Sequence, residues 1–101
     1  MNGAEIVAWP TALSDDRLMA ELFAARGKER AALVRFLACL GEVDRRNLAQ
    51  GRAFPSAFAF CVKRLSLSED ESIRRVRVAR AGRLHPRLLS LLGEGRITLS
   101  A

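Results

Sequence analysis

The amino-acid sequence predicts an all-α protein, a small bundle of about five helices. Apolar residues recur at intervals of three and four along most of the chain, the spacing that gives a helix one apolar face. Serine, proline and glycine punctuate this pattern where helices begin and end. Strict alternation of apolar and polar residues, the mark of a strand, is confined to residues 74–81. With 101 residues, the chain has room for one domain.

The first segment, residues 1–13, has no sustained apolar period. Pro10 disfavours helical backbone at Trp9, so we expect a loosely held N-terminal arm with Trp9 packed as a lid. The remaining residues, 14–101, are expected to form a single helical domain.

Ser14 offers an N-cap for the first helix, and the two aspartates after it complement the positive end of the helix dipole. Gly27 either ends this helix or lies within a longer one, because a single glycine costs only about 1 kcal/mol. Two adjacent rows of residues four apart give a broad apolar face: Leu18 with Leu22, and Met19 with Phe23. From Lys28 to about Asn47 an apolar stripe runs through Leu33, Phe36, Leu37, Leu40 and Val43.

Residues 47–51 are expected to form an exit loop, after which Pro55 suits the first turn of a third helix. That helix carries a predicted buried stripe of Phe54, Phe58, Cys61 and Leu65. Cys39 and Cys61 lie within apolar stretches and form no CxxC motif, so we expect two reduced, buried thiols.

The fourth helix is predicted to begin with a capping box, in which Ser68 and Glu71 each satisfy the other's free backbone N–H. Six arginines lie between its acidic first turn and Glu94: Arg74, Arg75, Arg77, Arg80, Arg83 and Arg87. Those at positions 74, 77, 80 and 83 form a ridge that drifts slowly round the helix axis. Ile73, Val76 and Ala79 form a parallel apolar ridge. We therefore expect the helix to pack on one side and to present unpaired guanidinium groups on the other.

Gly82 is expected to close the fourth helix, and Pro86 to begin a fifth whose core contacts are Leu88, Leu89, Leu91 and Leu92. Beyond it, Thr98 or Ser100 is placed like a new N-cap with no helix after it. This pattern leads us to expect a domain that is truncated at its C-terminal end.

The formal charge of +6 lies entirely in the second half of the chain. Residues 1–51 balance seven basic against seven acidic side chains, whereas residues 52–101 carry ten against four. This asymmetry predicts an anionic partner, and nucleic acid is favoured. One alternative is a solvated helix face with no partner. Another is a membrane surface, which the absence of Trp and Phe from residues 72–85 disfavours.

A cytoplasmic protein is expected. No Lys or Arg precedes Arg17, so the basic start of a signal peptide is missing. The longest uncharged run, Ala53 to Val62, is far shorter than the about 20 residues of a membrane helix.

The three residues between Leu65 and Glu69 imply a steep helix crossing, compatible with a helix-turn-helix. Ala57–Leu65 would be the supporting helix and Glu69–Arg83 the recognition helix. Because no Asn or Gln lies on the ridge, we expect contacts with DNA phosphates and have no basis for expecting contacts with base edges. Four neutralised phosphates would give a log affinity that falls with log salt at a slope of roughly −3.6. The candidate DNA-binding residues are Arg74, Arg77 and Arg80 on the ridge, Arg75 and Arg83 beside them, and Lys63 and Arg64 on the supporting helix.

Three stretches together resemble the helical region that precedes the nuclease domain in a large group of bacterial HNH endonucleases: GEVDRRNL (41–48), residues 56–86 and LLSLLGEGRITLSA (88–101). The resemblance covers roughly residues 14–101 and implies a part in binding or positioning DNA. Residues 66–101 also resemble, more weakly, the helix-turn-helix of plasmid and chromosome partition proteins.

The chain departs from the HNH pattern in ways that bear on catalysis. The HNH proteins continue into further helices and a His-Asn-His metal site, whereas this chain has one histidine, His85, where they usually have Phe. An HNH nuclease needs one His on the metal and another to activate water. Cys39 and Cys61 are too widely spaced from His85 to supply a local metal site. We therefore expect no enzymatic activity, no metal and no cofactor in this chain.

The alternative function is a protein–protein interaction or oligomerisation domain that touches no nucleic acid. Its basis is apolar surface expected at Phe60, Leu91 and Leu92, which a partner or further helices could cover.

Overall fold

The computed structural model describes residues 2–99, apart from the side chain of Val7, and the regular elements of that range are all helices. The six α-helices are α1 (Gly3–Ala8), α2 (Asp15–Arg45), α3 (Leu48–Gly51), α4 (Ala57–Lys63), α5 (Glu69–Leu84) and α6 (Pro86–Gly93). A 3-10 helix, Trp9–Ala12, follows α1 directly. The predicted all-α fold is confirmed.

Helix α2 is the longest element of the molecule. It runs unbroken for 31 residues, so Gly27 lies within it. Ser14 caps it as predicted, because its hydroxyl accepts a hydrogen bond from the backbone N–H of Arg17 at 3.3 Å. At 1.5 Å per residue the helix is about 46 Å long, close to the greatest extent of the molecule, 49 Å.

The core lies between the C-terminal half of α2 and the helices α4, α5 and α6. Its buried members are Leu37, Leu40, Ala57, Cys61, Val76, Ala79 and Leu92. The predicted α2 stripe is confirmed, since Leu33 and Phe36 are partly buried against this cluster.

Small residues let the helices of the core approach closely. A Cβ on Gly41 would lie 3.0 Å from the carbonyl oxygen of Ala79, so α2 and α5 meet almost backbone to backbone. A Cβ on Gly82 would lie 2.8 Å from the side chain of Leu89, so α6 packs closely on α5. Gly82 is therefore an interior packing residue, and the prediction that it closes the helix is wrong.

The N-terminal segment is helical, contrary to the prediction that Pro10 keeps Trp9 out of helical backbone. Asn2 and Glu5 form a capping box for α1: Asn2 Oδ1 accepts from the Glu5 N–H at 2.9 Å, and Glu5 accepts from the Asn2 N–H at 3.2 Å. Trp9 has helical backbone, φ −54° and ψ −46°. Pro10 is tolerated because it stands in the first turn of the 3-10 helix, where its missing N–H has no partner to lose. Trp9 is 44% exposed and does not act as a lid.

The segment between α2 and α4 differs from the predicted loop. α2 ends at Arg45, Asn47 follows with left-handed backbone at φ 55°, and the single turn of α3 begins at Leu48. α4 begins at Ala57, because the Ser56 side chain accepts from a backbone N–H in the first turn. Pro55 therefore precedes the helix instead of starting it.

The predicted stripe of α4 is only partly correct. Cys61 is fully buried, and Ala57 is the other buried position. Leu65 is 40% exposed because the helix ends at Lys63, two residues earlier than predicted.

The two cysteines are free, and they differ in burial. Burial raises the pKa of the Cys61 thiol. Cys39 is exposed, so the prediction that it is buried is wrong. It lies on α2 next to the buried stripe without belonging to it.

Ser68 caps α5 as predicted, accepting from the Glu71 N–H at 3.1 Å. The reciprocal half of the predicted capping box is absent from the described hydrogen bonds, because the Glu71 carboxylate binds two arginines instead. Pro86 begins α6 as predicted. Thr98 is outside any helix, and Ser100, the other predicted cap, lies outside the described residues. Within residues 2–99, no helix has both the length and the apolar character to cross a membrane.

Candidate nucleic-acid interface

The predicted basic residues lie on the two helices that meet at the corner between α4 and α5. Its turn spans residues 64–68 and is longer than predicted, because α4 ends early. The backbone N–H groups of Leu65 and Leu67 donate to the last carbonyls of α4 at 3.2 and 3.1 Å, with Ser66 at a positive φ of 59°. Lys63 and Arg64 are exposed at this helix end.

Helix α5 buries one face and exposes the other. The buried residues are Ser72, Val76, Ala79 and Gly82. The opposite surface carries three exposed arginines, Arg74, Arg77 and Arg80, which we call the basic arc. Arg77 stands at its centre, and no carboxylate within residues 2–99 lies within ion-pair distance of it.

The predicted ridge of four arginines does not stay on one face. A spacing of three residues rotates by about 60° per step on a helix of 3.6 residues per turn, so four members span about 180°. Arg83 consequently lies on the side that faces α2, where its Cβ would be 3.8 Å from a Cβ on Gly41. The same drift leaves Ile73 43% exposed, whereas Val76 and Ala79 are buried.

Asp44 of α2 holds one member of the basic arc. Nε and Nη2 of Arg80 each donate to a different oxygen of Asp44 at 2.9 Å. The hydrogen bond from Arg80 lowers the pKa of Asp44, and the Arg80 side chain remains 55% exposed. The expectation that the ridge guanidinium groups are all unpaired is therefore wrong at this position.

Glu71 engages two further arginines. Arg74 donates to it at 3.3 Å and Arg75 at 2.7 Å, and these hydrogen bonds, that of Arg75 above all, lower the pKa of Glu71. The guanidinium carbon of Arg75 also lies 4.7 Å from the ring centroid of Phe36, and its side chain is only 23% exposed. Arg75 thus packs α5 against α2 and does not flank an open surface as predicted.

A groove runs between α4 and α5 beside the basic arc. Its volume is about 340 Å³, and it is lined by Phe58, Ile73, Val76, Arg77 and Arg80. Arg77 and Arg80 are therefore brought together at one groove, whereas Arg74 borders a different cavity, near Arg26 and Arg30 of α2.

No metal-like constellation is found in the described part of the chain: within residues 2–99 no three His, Cys, Asp or Glu side chains converge. His85 is exposed at the start of α6.

Exposed apolar surface lies elsewhere than predicted. Leu92 is 4% exposed, Leu91 is half-buried, and Phe60 is half-buried with its ring edge-on to Phe54 at 5.2 Å. The larger apolar surface is on the N-terminal half of α2, where Leu22 and Phe23 are 62% and 70% exposed. The sequence period predicted an apolar face there, but carried no signal that the other helices leave it uncovered.

No family model matches the chain, and comparison with curated proteins and with solved structures gave no match either.

Proposed function

We propose that this chain is a DNA-binding module that contacts the phosphate backbone through the basic arc. The observation that carries the proposal is Arg77. Its guanidinium group is exposed at the centre of the arc, and it has no carboxylate partner within residues 2–99. A free, planar guanidinium group can hold a phosphate through two hydrogen bonds.

The ion pair with Asp44 orients Arg80 and leaves it able to bind. Nε and Nη2 are engaged by the carboxylate, so both N–H groups of Nη1 remain as donors. The fixed guanidinium group loses little conformational entropy on binding a phosphate. Arg74, held by Glu71 through Nη2 only, retains further donors on the other side of Arg77.

The two carboxylates limit the strength of this contact. Three arginines against Asp44 and Glu71 leave a small positive excess, which favours moderate, salt-sensitive, sequence-independent binding. If each member of the arc neutralises one phosphate, log affinity falls with log salt at a slope of about −2.7. Lys63 and Arg64, exposed at the end of α4, would add backbone contacts.

We propose no catalytic role for the chain, which fits its single histidine, and a cytoplasmic location, which fits its two free thiols. In the HNH proteins that it resembles, a module of this kind would position DNA for a separate nuclease domain.

The test is fluorescence anisotropy of a short labelled duplex over a range of salt concentrations. Arg77→Ala should weaken binding about tenfold at low salt and reduce the steepness of the salt slope by about 0.9. The matched control is Arg17→Ala, which removes the same charge from an exposed position on α2. Equal losses in the two variants, salt-independent binding, or no binding at low salt would each contradict the proposal.

A further inference from the structure

The N-terminal half of α2 projects beyond the packed helices. Residues 15–29, which we call the overhang, are all exposed except Glu21, which is partly buried. By contrast, the core cluster draws its α2 members from the second half of the same helix. The overhang is thus a helical segment of about 22 Å that contributes no residue to the core, and only its last turn, at Arg26 and Glu29, borders cavities lined by α5.

A continuous apolar seam runs along the overhang. It consists of Leu18, Met19, Leu22 and Phe23, which are 42%, 50%, 62% and 70% exposed. Residues three and four apart are neighbours on a helix, so these side chains form one contiguous surface. Isolated exposed apolar residues need no explanation, but a contiguous group on one helix face indicates a docking surface.

Opposite charges stand at the two ends of the seam. Asp15 lies three residues before Leu18, and Arg26 lies three residues after Phe23. At about 100° per residue, Asp15 and Arg26 project within about 20° of each other, in the same direction as the seam. Reversing the direction of the helix therefore exchanges the acid for the base and leaves the apolar seam in place.

We propose that two copies of this chain associate through their overhangs, with the α2 helices antiparallel. The midpoint of the seam lies between residues 20 and 21. Antiparallel pairing about that point places Leu18 opposite Phe23 of the second copy, and Met19 opposite its Leu22. Asp15 then faces Arg26 of the second copy at both ends of the interface.

Charge complementarity favours a second copy of the chain as the partner and an antiparallel arrangement of the two α2 helices. A parallel pair would place Asp15 against Asp15 and Arg26 against Arg26, which is repulsive. Within the described residues, Asp15 has no ion pair, and Arg26 meets only Glu29 at 4.0 Å, an exposed contact that contributes little. Asp15 is exposed, and the Arg26 side chain is 51% exposed at the edge of the cavity that it shares with Arg74, so both end groups can be reached by the second copy.

Sedimentation equilibrium over protein concentrations from about 1 µM to about 1 mM tests the association. The unaltered chain should pass reversibly from monomer to dimer. Leu22→Asp should raise the dissociation constant at least about tenfold, because it places two charges inside the seam. Leu84→Asp is the matched control: Leu84 is 66% exposed on α5, away from the overhang, and the substitution should leave the dissociation constant unchanged.

Charge reversal tests the direction of pairing. Asp15→Arg and Arg26→Asp should each weaken the dimer about tenfold, and the double variant should restore it, because the two ends again face opposite charges. A parallel dimer would not be weakened by either single variant, because each end would still face its own like charge in the second copy. The proposal is overturned by a chain that stays monomeric throughout, by a dimer insensitive to Leu22→Asp, or by a double variant as weak as the single ones. None of these results depends on DNA, so the association and DNA contact stand or fall separately.

Discussion

The two halves of α2 carry similar apolar patterns and have opposite environments. In the C-terminal half, Leu37 and Leu40 are 0% and 5% exposed beneath α4, α5 and α6. In the N-terminal half, Leu22 and Phe23 keep most of their surface in solvent. Helical periodicity defines an apolar face in both cases, but only contacts with other helices decide whether that face is core or interface.

The glycines of α2 follow the same division. Gly41, in the packed half, is closed in by the backbone of Ala79. Gly27, in the overhang, has nothing within 4 Å of the position that a Cβ would occupy. One glycine permits a close helix crossing, whereas the other weakens a free helix without a packing reason.

The largest expected effect is on stability, because a leucine-to-alanine substitution should cost far more in the packed half of α2 than in the overhang. Leu37→Ala should lower the free energy of unfolding by about 2–5 kcal/mol, because it opens a cavity in the core. Leu22→Ala should change it by less than about 0.5 kcal/mol, since its side chain is already largely hydrated in the monomer. Urea denaturation at low protein concentration measures both. Equal losses would mean that the overhang is packed.

Alanine substitutions at Gly27 and Gly41 should change the free energy of unfolding differently, with a gain only at Gly27. Gly27→Ala should raise the free energy of unfolding by about 1 kcal/mol through helix propensity alone. Gly41→Ala gains the same propensity but forces Ala79 away, at a cost of about 1–3 kcal/mol, so we expect a net change between zero and a loss of about 2 kcal/mol. Thermal unfolding of the two variants gives the comparison. A stabilised Gly41→Ala variant would show that α2 and α5 can move apart at this crossing at little cost in free energy.

The acids of the two halves should differ in their effect on DNA binding. Asp44→Asn releases Arg80 and removes a negative charge beside the basic arc, so duplex affinity should rise about two- to fivefold. Glu21→Gln makes the same change of charge in the overhang, where Glu21 pairs with Arg17 at 3.5 Å, and should leave affinity nearly unchanged. Anisotropy titrations at one salt concentration suffice. A loss of affinity in Asp44→Asn would show that the orientation of Arg80 outweighs its release.

The smallest expected effect is the pH dependence of the Asp44 contact. The pKa of Asp44 is lowered in the folded chain, chiefly by the hydrogen bond from Arg80, so the ionised form is favoured by folding. The contribution is complete above the ordinary aspartate pKa of 3.8 and is lost as the pH falls through the lower folded value. The stability difference between the unaltered chain and Asp44→Asn should therefore vanish in acid, as urea titrations at several pH values would show. A difference that persists in acid would point to packing instead.

The sequence predicted the fold class, the Ser14 and Ser68 caps and the buried α2 stripe, because these depend on residues within one or two turns of each other. It failed where the answer depended on a distant segment. Asp44 and Arg80 lie 36 residues apart, and nothing local indicates that they meet. The prediction that Gly82 ends the helix fails because no local signal indicates its packing against Leu89. The sequence also predicted that the basic residues lie on α5, but the four-arginine ridge turns further round the helix than predicted, because each step of three residues rotates by about 60°.

The close crossing at Gly41 and Ala79 has a consequence for how this protein can change over time. Side chains on the outer surface of α5 lie away from this crossing, whereas one carbon added at Gly41 would press on the Ala79 carbonyl oxygen at 3.0 Å and so on the helix that carries the guanidinium groups. Substitutions can thus change the chemistry of the outer surface, while two of the smallest residues in the chain keep that surface at a fixed distance from α2.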